Sequence, residues 1–493
     1  MVDTTEATTS AAAGAATGGL LDQIIDRGKM AREEIQKPHA RDLIGEFARQ
    51  VLDEGMTLDN DLVATCNKRI AQIDAMLSAQ LNEIMHHEDF QKLEATWRGM
   101  RYLIMNSETG ATLKLRVLNA SKKELLSDAE KATEFDQSAL FKKVYEEEYG
   151  TFGGNPYGLL ICDQYFGRHP QDTSLLLKLA NVASASHAPL LAGVDARMMD
   201  MDSFTELPDP RDLGKIFESS ELIKWRSFRD HPDSRYVGLA MPHILLRLPY
   251  GPDTVPVDEF NFVEDVDGTD HSKYLWGNAA WALGARMTDA FAKHGWCAAI
   301  RGVEGGGLVE GLPVHTYKAA DGDIVVKPPT ETAITDRREK ELSDLGFIPL
   351  CYSKDTDYAA FFATQSANKP IKYDTPEATA NADLSSQLQY IMAASRFAHY
   401  LKVIMRDKIG SFASREDVEK YLNRWIAQYV LLSDTAGQDV KAKFPLREAR
   451  VDVTDNPAAP GCYNAVVFLR PHFQLNELTA SIRLVATLPP PAA

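Results

Sequence analysis

The order strand, helix, strand between residues 159 and 194 constrains the fold of this chain more than any other feature. The apolar runs LLICD at 159–163 and PLLAGV at 189–194 flank residues 175–185, which have a helical pattern. Two buried strands joined by a helix form a crossover unit, and such units build parallel sheets. The pattern therefore predicts α/β character, or a mixed α+β fold class, in the middle of the chain.

Further segments extend this prediction to both sides. Alternating or apolar runs favour strands, and apolar residues at spacings of three and four favour helices. The predicted strands are 112–119, 236–248, 297–303, 323–327 and 347–352, and the predicted helices are 58–85, 128–149, 274–294, 384–408 and 415–432.

One face of the helix predicted at 58–85 is apolar. The residues on this face are Leu62, Ile70, Ile73, Leu77, Leu81 and Ile84. Such a stripe packs either in the core of the chain or against a helix of a partner, and the pattern favours the core.

Length and charge exclude some classes of protein. The 493 residues correspond to two to four domains at roughly 150 residues each. The formal net charge of −17 argues against binding to nucleic acid or to an anionic membrane surface, since both require clustered Lys and Arg. Residues 200–270 contain 16 Asp and Glu against 7 Lys and Arg, and the favoured interpretation of this run is a solvated face.

The sequence favours a cytoplasmic protein. Residues 1–19 are predicted to be a disordered arm, without the basic start and apolar run of a signal peptide. No apolar stretch approaches the roughly 20 residues that span a bilayer. The cysteines lie far apart, which is typical of buried thiols in a reducing compartment. They are Cys66, Cys162, Cys297, Cys351 and Cys462.

The C-terminal 38 residues, from Asn456 onward, are almost uncharged, because only Arg470, Glu477 and Arg483 carry charge. Within them, residues 463–469 are strongly β-forming and residues 478–487 alternate in polarity. An exposed strand of this kind is an aggregation hazard. It is therefore either a central strand in the sheet of the chain itself or a strand offered to a neighbouring subunit, and composition leaves both readings open.

The search for catalytic motifs finds only incomplete ones. RGVEGGGLVEG at 301–311 has the glycine spacing of a phosphate loop, but Leu308 and Val309 stand where Lys and Ser or Thr are required. A tight structural turn is the favoured interpretation. His294 and Cys297 lie close in sequence, and a buried thiol is favoured over a catalytic pair. We predict no catalytic residue, no cofactor and no metal site.

Seven motifs, in order along the chain, carry a specific resemblance. They are TWRGMRYLI at 96–104, LKLRVLNASKKEL at 113–125, EFDQSALFKKVYEEEYGTFGGNPYG at 134–158, DSRYVGLAMP at 233–242, RGVEGGGLVEGLP at 301–313, AHYLKVIMRDKIGSF at 398–412 and FLRPHFQLNELTASIRLVATLP at 468–489. Together they resemble the large sheath subunit of the bacterial type VI secretion system, the TssC/VipB family.

The resemblance implies a structural subunit rather than an enzyme. Members pair with a small sheath subunit (TssB/VipA-like), and the heterodimers stack as rings, together with a baseplate, around an inner tube of Hcp-like protein. Contraction of this cylinder expels the tube, and a ClpV-type AAA+ unfoldase, acting mainly through the small subunit, recycles the sheath. The implied fold has a central mixed-sheet domain, flanking helices and terminal strands that are exchanged between subunits.

On this interpretation the chain comprises an N-terminal arm at 1–57, a helical segment at 58–105, a central α/β sheath domain at 106–375 and an inner sheath domain at 376–493. The residues expected in exchanged segments are Tyr463, Val466, Phe468, Leu478, Ile482 and Leu484 at the C-terminus and Leu20, Leu21, Ile24 and Ile25 in the arm. The alternatives are a cytoplasmic hydrolase that uses Cys297 and His294, and an adaptor that binds through its termini without polymerising.

Overall fold

The structure is a computed structural model. It describes residues 25, 27–29, 31, 33–53, 62–209, 211–258, 260–319, 321–409, 414–433, 435–455 and 463–474. The chain divides into two compact units. One comprises Met1–Leu81 with Val257–Phe262, and the other comprises Asn82–Pro256 with Val263–Ala493.

The first helix and most of the second belong to the smaller unit, and helices and strands alternate through the larger one. The helices are α1 Lys37–Asp53, α2 Leu62–Met85, α3 Glu88–Met105, α4 Lys122–Lys131, α5 Pro170–Ser186, α6 Leu213–Glu218, α7 Ile223–Asp230, α8 Ala279–His294, α9 Asp336–Asp344, α10 Pro376–Ser385, α11 Leu388–Asp407, α12 Arg415–Ile426 and α13 Gln438–Lys443. The strands are β1 Leu160–Phe166, β2 Leu190–Val194, β3 Val237–Met241, β4 Ile244–Leu245, β5 Trp276–Gly277, β6 Leu308–Val309, β7 His315–Lys318, β8 Ile324–Lys327, β9 Ile348–Tyr352, β10 Ala359–Phe361, β11 Leu446–Asp455 and β12 Tyr463–Pro471.

A mixed sheet lies at the centre of the larger unit, with the strand order β1-β2-β3-β9-β10-β6. The first four strands are parallel, and β10 pairs antiparallel with both β9 and β6. The crossover predicted at 159–194 is confirmed, since α5 connects β1 to its parallel neighbour β2. The predicted fold class, a mixture of helices with a mixed sheet, is therefore confirmed.

Apolar cores cover both faces of this sheet. On β2, Leu190, Ala192 and Val194 point into one core, which α5 completes, and Leu191 points into the other, which α8 completes. Alternation of this kind follows from the two-residue period of a strand. It explains why the strands of the sheet read as continuous apolar runs in the sequence.

Several predicted elements differ from the structure. Residues 112–119 and 297–303 were both expected to be strands, but neither segment belongs to a strand. The strand expected at 236–248 is divided into β3 and β4 around the cis bond Met241–Pro242. The helix expected at 128–149 is interrupted after α4, and its second part comprises the helical turn Ala139–Phe141 and the π-helical Lys142–Tyr149.

Four of the six residues of the apolar stripe on α2 are not core. The side chains of Ile70, Ile73, Leu77 and Ile84 are each about half-exposed, so the prediction that they pack inside the chain is wrong. A helical period identifies an apolar face but does not identify what covers it. The alternative, contact with a partner helix, stays a prediction.

The glycine-rich loop at 302–307 is a tight structural turn, as predicted. Gly302 and Gly306 have φ values of 73° and 91°, which side chains rarely adopt. A Cβ atom on Gly306 would lie 2.4 Å from the carbonyl oxygen of Ala299. The glycines are therefore required by backbone geometry, independently of any ligand.

A buried ion network attaches α3 to the loops beside the sheet. The Arg247 guanidinium contacts the Glu94 carboxylate at 2.8 Å and the Glu264 carboxylate at 2.6 Å. Glu264 also accepts a hydrogen bond from the backbone N–H of Tyr250 at 2.9 Å. The side chains of Arg247 and Glu264 are buried, and that of Glu94 is largely so. Glu264 therefore depends on Arg247 for its arginine partner, whereas Glu94 also contacts the Arg98 guanidinium at 2.6 Å.

Stability should fall below neutral pH because of His399. Its imidazole is buried on α11, 2.8 Å from the carbonyl oxygen of Ser186, and burial lowers its pKa to about 4; the Arg396 and Lys402 charges act in the same direction. The unfolded chain binds the proton first, at a pKa of roughly 6.5. The stability contributed by the neutral imidazole is therefore fully present above that pH and is lost as the pH falls toward 4.

We expect His399→Gln, whose side chain can still donate to Ser186, to reduce the loss of stability between pH 6.5 and pH 5 by about 2 kcal/mol. Chemical denaturation at several pH values measures this difference, and pH 8, where both side chains are neutral, provides the reference. A variant whose stability changes with pH in parallel with the wild type would contradict the assignment.

Candidate assembly surfaces

The C-terminal strands β11 and β12 form an antiparallel hairpin apart from the central sheet. Alternate residues of β12 pack on a separate apolar core, in which Trp296 stacks on Phe397 with ring centroids 4.1 Å apart. The inward-facing side chains of β12 are Tyr463, Ala465, Val467 and Leu469. The period of two in YNAVVFL therefore forms a half-buried strand.

The opposite face of β12 presents two large apolar side chains that no described residue buries. Val466 is 63% exposed and Phe468 is 49% exposed, although both side chains are large and apolar. Because isolated two-stranded sheets are marginally stable, a hairpin of this kind gains stability from additional strands or another layer. The structure thus brings together three of the predicted C-terminal residues, Tyr463, Val466 and Phe468, on one strand.

Side chains of α12 close the outer edge of β11. The Asn423 amide accepts a hydrogen bond from the Val451 N–H at 3.0 Å and donates one to the Val451 carbonyl oxygen at 2.7 Å. Two residues further along the strand, Glu419 accepts from the Val453 N–H and Arg415 donates to the Val453 carbonyl oxygen. These polar groups occupy the positions that another strand would use.

The outer edge of β12 is consequently the open one. The backbone groups of Val451 and Val453 point away from β12, so both residues belong to non-hydrogen-bonded pairs of the ladder. Their partners, Val467 and Ala465, must also point their backbone groups outward. Among the described residues, nothing pairs with these outward N–H and C=O groups.

Sequence reasoning missed Asn423, Glu419 and Arg415. They lie 28 to 38 residues before the strand positions that they contact, and on a helix they resemble ordinary solvated side chains. No local pattern distinguishes a polar helix face that closes a sheet edge from one that faces water.

Most of the other predicted assembly residues lie outside the described residues. They are Leu478, Ile482 and Leu484 at the C-terminus and Leu20, Leu21 and Ile24 in the arm. Ile25 is described, and its side chain is buried. The participation of these residues in exchanged segments stays a prediction, as do the domain boundaries.

Cys297 and His294 do not form a catalytic pair in this structure. The Cys297 thiol donates to the Met287 carbonyl oxygen at 3.5 Å, and burial raises its pKa to about 12. A thiol of this kind is a poor nucleophile at neutral pH, because the thiolate is the reactive form. His294 lines a cavity of about 300 Å³, and Cys297 is not among the residues that line it.

A second cluster of titratable groups surrounds Glu331. Its carboxylate contacts the imidazoles of His243 and His271 and accepts a hydrogen bond from the Ser203 hydroxyl at 2.8 Å. The hydroxyl is thus bonded to a carboxylate rather than to an imidazole base, which is not the arrangement of an activated nucleophile. Within the part of the chain that the structure describes, no cluster of three or more His, Cys, Asp or Glu side chains could hold a metal ion.

Most of the acidic side chains at 200–270 are exposed, as predicted for a solvated face; Glu264, in the network with Arg247, is buried. Among the described helices, none combines the length and apolar character needed to cross a membrane.

Two family models together match most of the chain. The model for "EvpB/VC_A0108, tail sheath N-terminal domain" matches residues 67–368, and the model for "EvpB/VC_A0108, tail sheath gpW/gp25-like domain" matches residues 377–488. The chain is also 48% identical to the type VI secretion system sheath protein TssC1 of Pseudomonas aeruginosa over 474 residues, which cover 95% of this chain and 94% of that protein.

Two solved structures are similar at a lower level. The cryo-EM structure of the anti-feeding prophage baseplate has 9% identity and a TM-score of 0.37, and the similarity covers 76% of this chain and 83% of that chain. The helical sheath of the anti-feeding prophage in the contracted state has 11% identity and a TM-score of 0.34, covering 64% and 67%.

Proposed function

Because the chain belongs to the TssC/VipB family of type VI secretion sheath proteins, we propose that it is the large structural subunit of a contractile sheath. It pairs with a small sheath subunit, and the heterodimers polymerise in the cytoplasm around an inner tube. Contraction of the polymer then drives the tube outward.

The open edge of β12 is the observation that carries this proposal. A strand from a neighbouring subunit can extend the hairpin there, since Ala465 and Val467 direct unpaired backbone groups outward. The exposed side chains of Val466 and Phe468 provide apolar area for the same contact. Closure of the β11 edge by α12 directs the incoming strand to a single side.

Strand pairing suits a sheath that changes its shape. Main-chain ladders hold neighbouring subunits together, while the rigid sheet domain, with its cores on both faces, can rotate as a body about the connecting segments. An extended lattice assembled under strain relaxes when additional contacts form in the contracted state. No bond chemistry is required in this mechanism, which agrees with the inactive environment of Cys297.

The remaining partners follow from the same proposal. The inner tube protein contacts the lumen of the sheath, a baseplate nucleates its assembly, and a AAA+ unfoldase recycles the contracted polymer mainly through the small subunit.

Co-expression with the small sheath subunit tests the proposal. We expect long tubes in negative-stain micrographs and in the pellet after ultracentrifugation, whereas the chain alone should give none. A stable heterodimer that never forms tubes would contradict the proposal and favour the adaptor alternative. The catalytic alternative would require that Cys297→Ser abolish secretion while tubes still form.

A further inference from the structure

Residues 112–119, TLKLRVLN, form a segment with the sequence of a strand but without a partner strand. Its backbone is not assigned to any element, and the only backbone hydrogen bond recorded for it joins the Leu113 carbonyl oxygen to the Gly110 N–H. Within the described chain, the other backbone groups of this segment pair with no strand on either side. Both edges of the segment are therefore open.

The polar side chains of this segment face the protein. Arg116 contacts the Glu148 carboxylate and donates to the Tyr157 hydroxyl at 3.3 Å. Lys114 donates to the Asn155 side chain at 3.1 Å. Glu148 also accepts from the Asn155 N–H at 2.7 Å, which fixes the turn that receives both cations.

The apolar side chains of the same segment face outward. Val117 is 73% exposed, and Leu115 on the same face is exposed as well, whereas Leu113 at the start of the segment is half-buried. A half-buried strand in a monomer has the reverse arrangement, with its apolar face on the core and its polar face in water. In a monomer this inverted arrangement buries no apolar surface. It stabilises the chain only when another polypeptide covers the outward face.

Charge restricts the identity of that polypeptide. Between Gly110 and Lys123 there are four Lys or Arg residues and no Asp or Glu, in a chain whose net charge is −17. Arg116 and Lys122 are paired with Glu148 and Asp172, whereas Lys114 and Lys123 have no acidic partner among the described residues. The alternating segment 478–487 of a second copy carries Arg483 and no acidic residue, so it offers no complementary charge. A different polypeptide with carboxylates beside its apolar residues fits this surface better.

We propose that residues 112–119 are an acceptor strand, to which an extended segment of the small sheath subunit adds by β-strand addition. The incoming segment has apolar residues at alternate positions, which cover Leu115 and Val117, and acidic residues near Lys114 and Lys123. The identity of the partner rests on the proposed function, whereas the open, inverted strand is a property of this chain.

Proline at two adjacent positions tests the pairing. The N–H groups of Val117 and Leu118 point to opposite edges of the segment, because successive residues of an extended chain alternate. Neither N–H donates a hydrogen bond within the described chain, so Val117→Pro and Leu118→Pro should each leave the melting temperature of the isolated chain within about 2 °C. At least one of them should reduce co-purification of the small subunit tenfold or more, since proline removes a ladder donor.

A charge substitution with a matched control tests the outward face. We expect Val117→Glu to weaken co-purification tenfold or more, and Ile324→Glu, at a strand residue with the similar exposure of 72%, to leave it within twofold. The comparison of Val117→Glu with Ile324→Glu still tests the proposed interface if a proline variant is unstable.

The outcomes separate this inference from the proposed function. If the wild-type pair forms tubes while both proline variants and Val117→Glu bind the small subunit normally, the acceptor strand is wrong and the sheath function stands. If the variants abolish self-association of the isolated chain but not binding of the small subunit, the occupant is a second copy and the proposal is overturned. If the wild-type pair forms no complex at all, the proposed function itself fails.

Discussion

Ala465→Pro should leave the chain folded and prevent its polymerisation. The Ala465 N–H points to the open edge of β12, because the opposite residue, Val453, directs its own backbone groups to Glu419 and Arg415. Proline at position 465 therefore removes no hydrogen bond within the described chain, but it blocks a strand that adds at this edge. We expect at least a tenfold decrease in sedimentable tubes when the variant is co-expressed with the small subunit.

The neighbouring position provides the matched control. The Val466 N–H points toward β11, so Val466→Pro breaks the hairpin itself and should destabilise the isolated chain by about 1 to 3 kcal/mol. Tubes formed by Ala465→Pro in wild-type amounts would show that the outer edge of β12 is not the site of strand addition. Equal destabilisation by the two prolines would show that the assignment of backbone directions is wrong.

Arg247→Met should destabilise the isolated chain by about 3 to 5 kcal/mol, because it leaves the buried Glu264 carboxylate without its arginine, whereas Glu94 retains its contact with Arg98. Methionine preserves much of the side-chain length, so the effect reports on charge rather than on a cavity. The shift of the urea midpoint, together with the slope of the transition, measures the change.

An exposed arginine provides the control for this prediction. Arg168 contacts Asp200 at 2.8 Å and Glu221 at 3.4 Å, and all three side chains are substantially exposed. Arg168→Met should therefore cost less than about 1 kcal/mol. The double variant Arg247→Met, Glu264→Gln should recover part of the lost stability, since it removes the carboxylate that Arg247→Met leaves without its arginine. A cost of Arg247→Met no greater than that of Arg168→Met would contradict the role of the network.

The elements that were predicted correctly are those in which the local pattern determines the outcome. The crossover at 159–194 is an example, because β2 is buried throughout, β1 packs against the cores on both faces, and both segments contain an apolar run. The long helices α8 and α11 were also predicted, although each begins a few residues later than expected. A period of 3.6 or 2.0 residues is a property of the chain itself, and it survives in any tertiary context.

The failures have one cause in common. Residues 112–119 have the alternation of a strand, and α2 has the stripe of a core helix, yet both leave apolar side chains exposed. The pattern correctly identified an apolar face in each segment, but the prediction placed that face against the core of the chain, and the structure leaves it exposed. The partner that covers a face is not encoded in the periodicity of the segment that presents it.

The C-terminal hairpin also separates what the sequence determines from what the tertiary structure determines. The sequence alone determined that residues 463–469 form a strand with one apolar period and that the C-terminal 38 residues carry almost no charge. It left open whether that strand is internal or offered to a neighbour. Only the tertiary structure decided which edge is free, because Asn423, Glu419 and Arg415 reach β11 from another helix and occupy its outer backbone groups. Strand edges are closed by contacts between residues distant in sequence, and such contacts leave no trace in local periodicity.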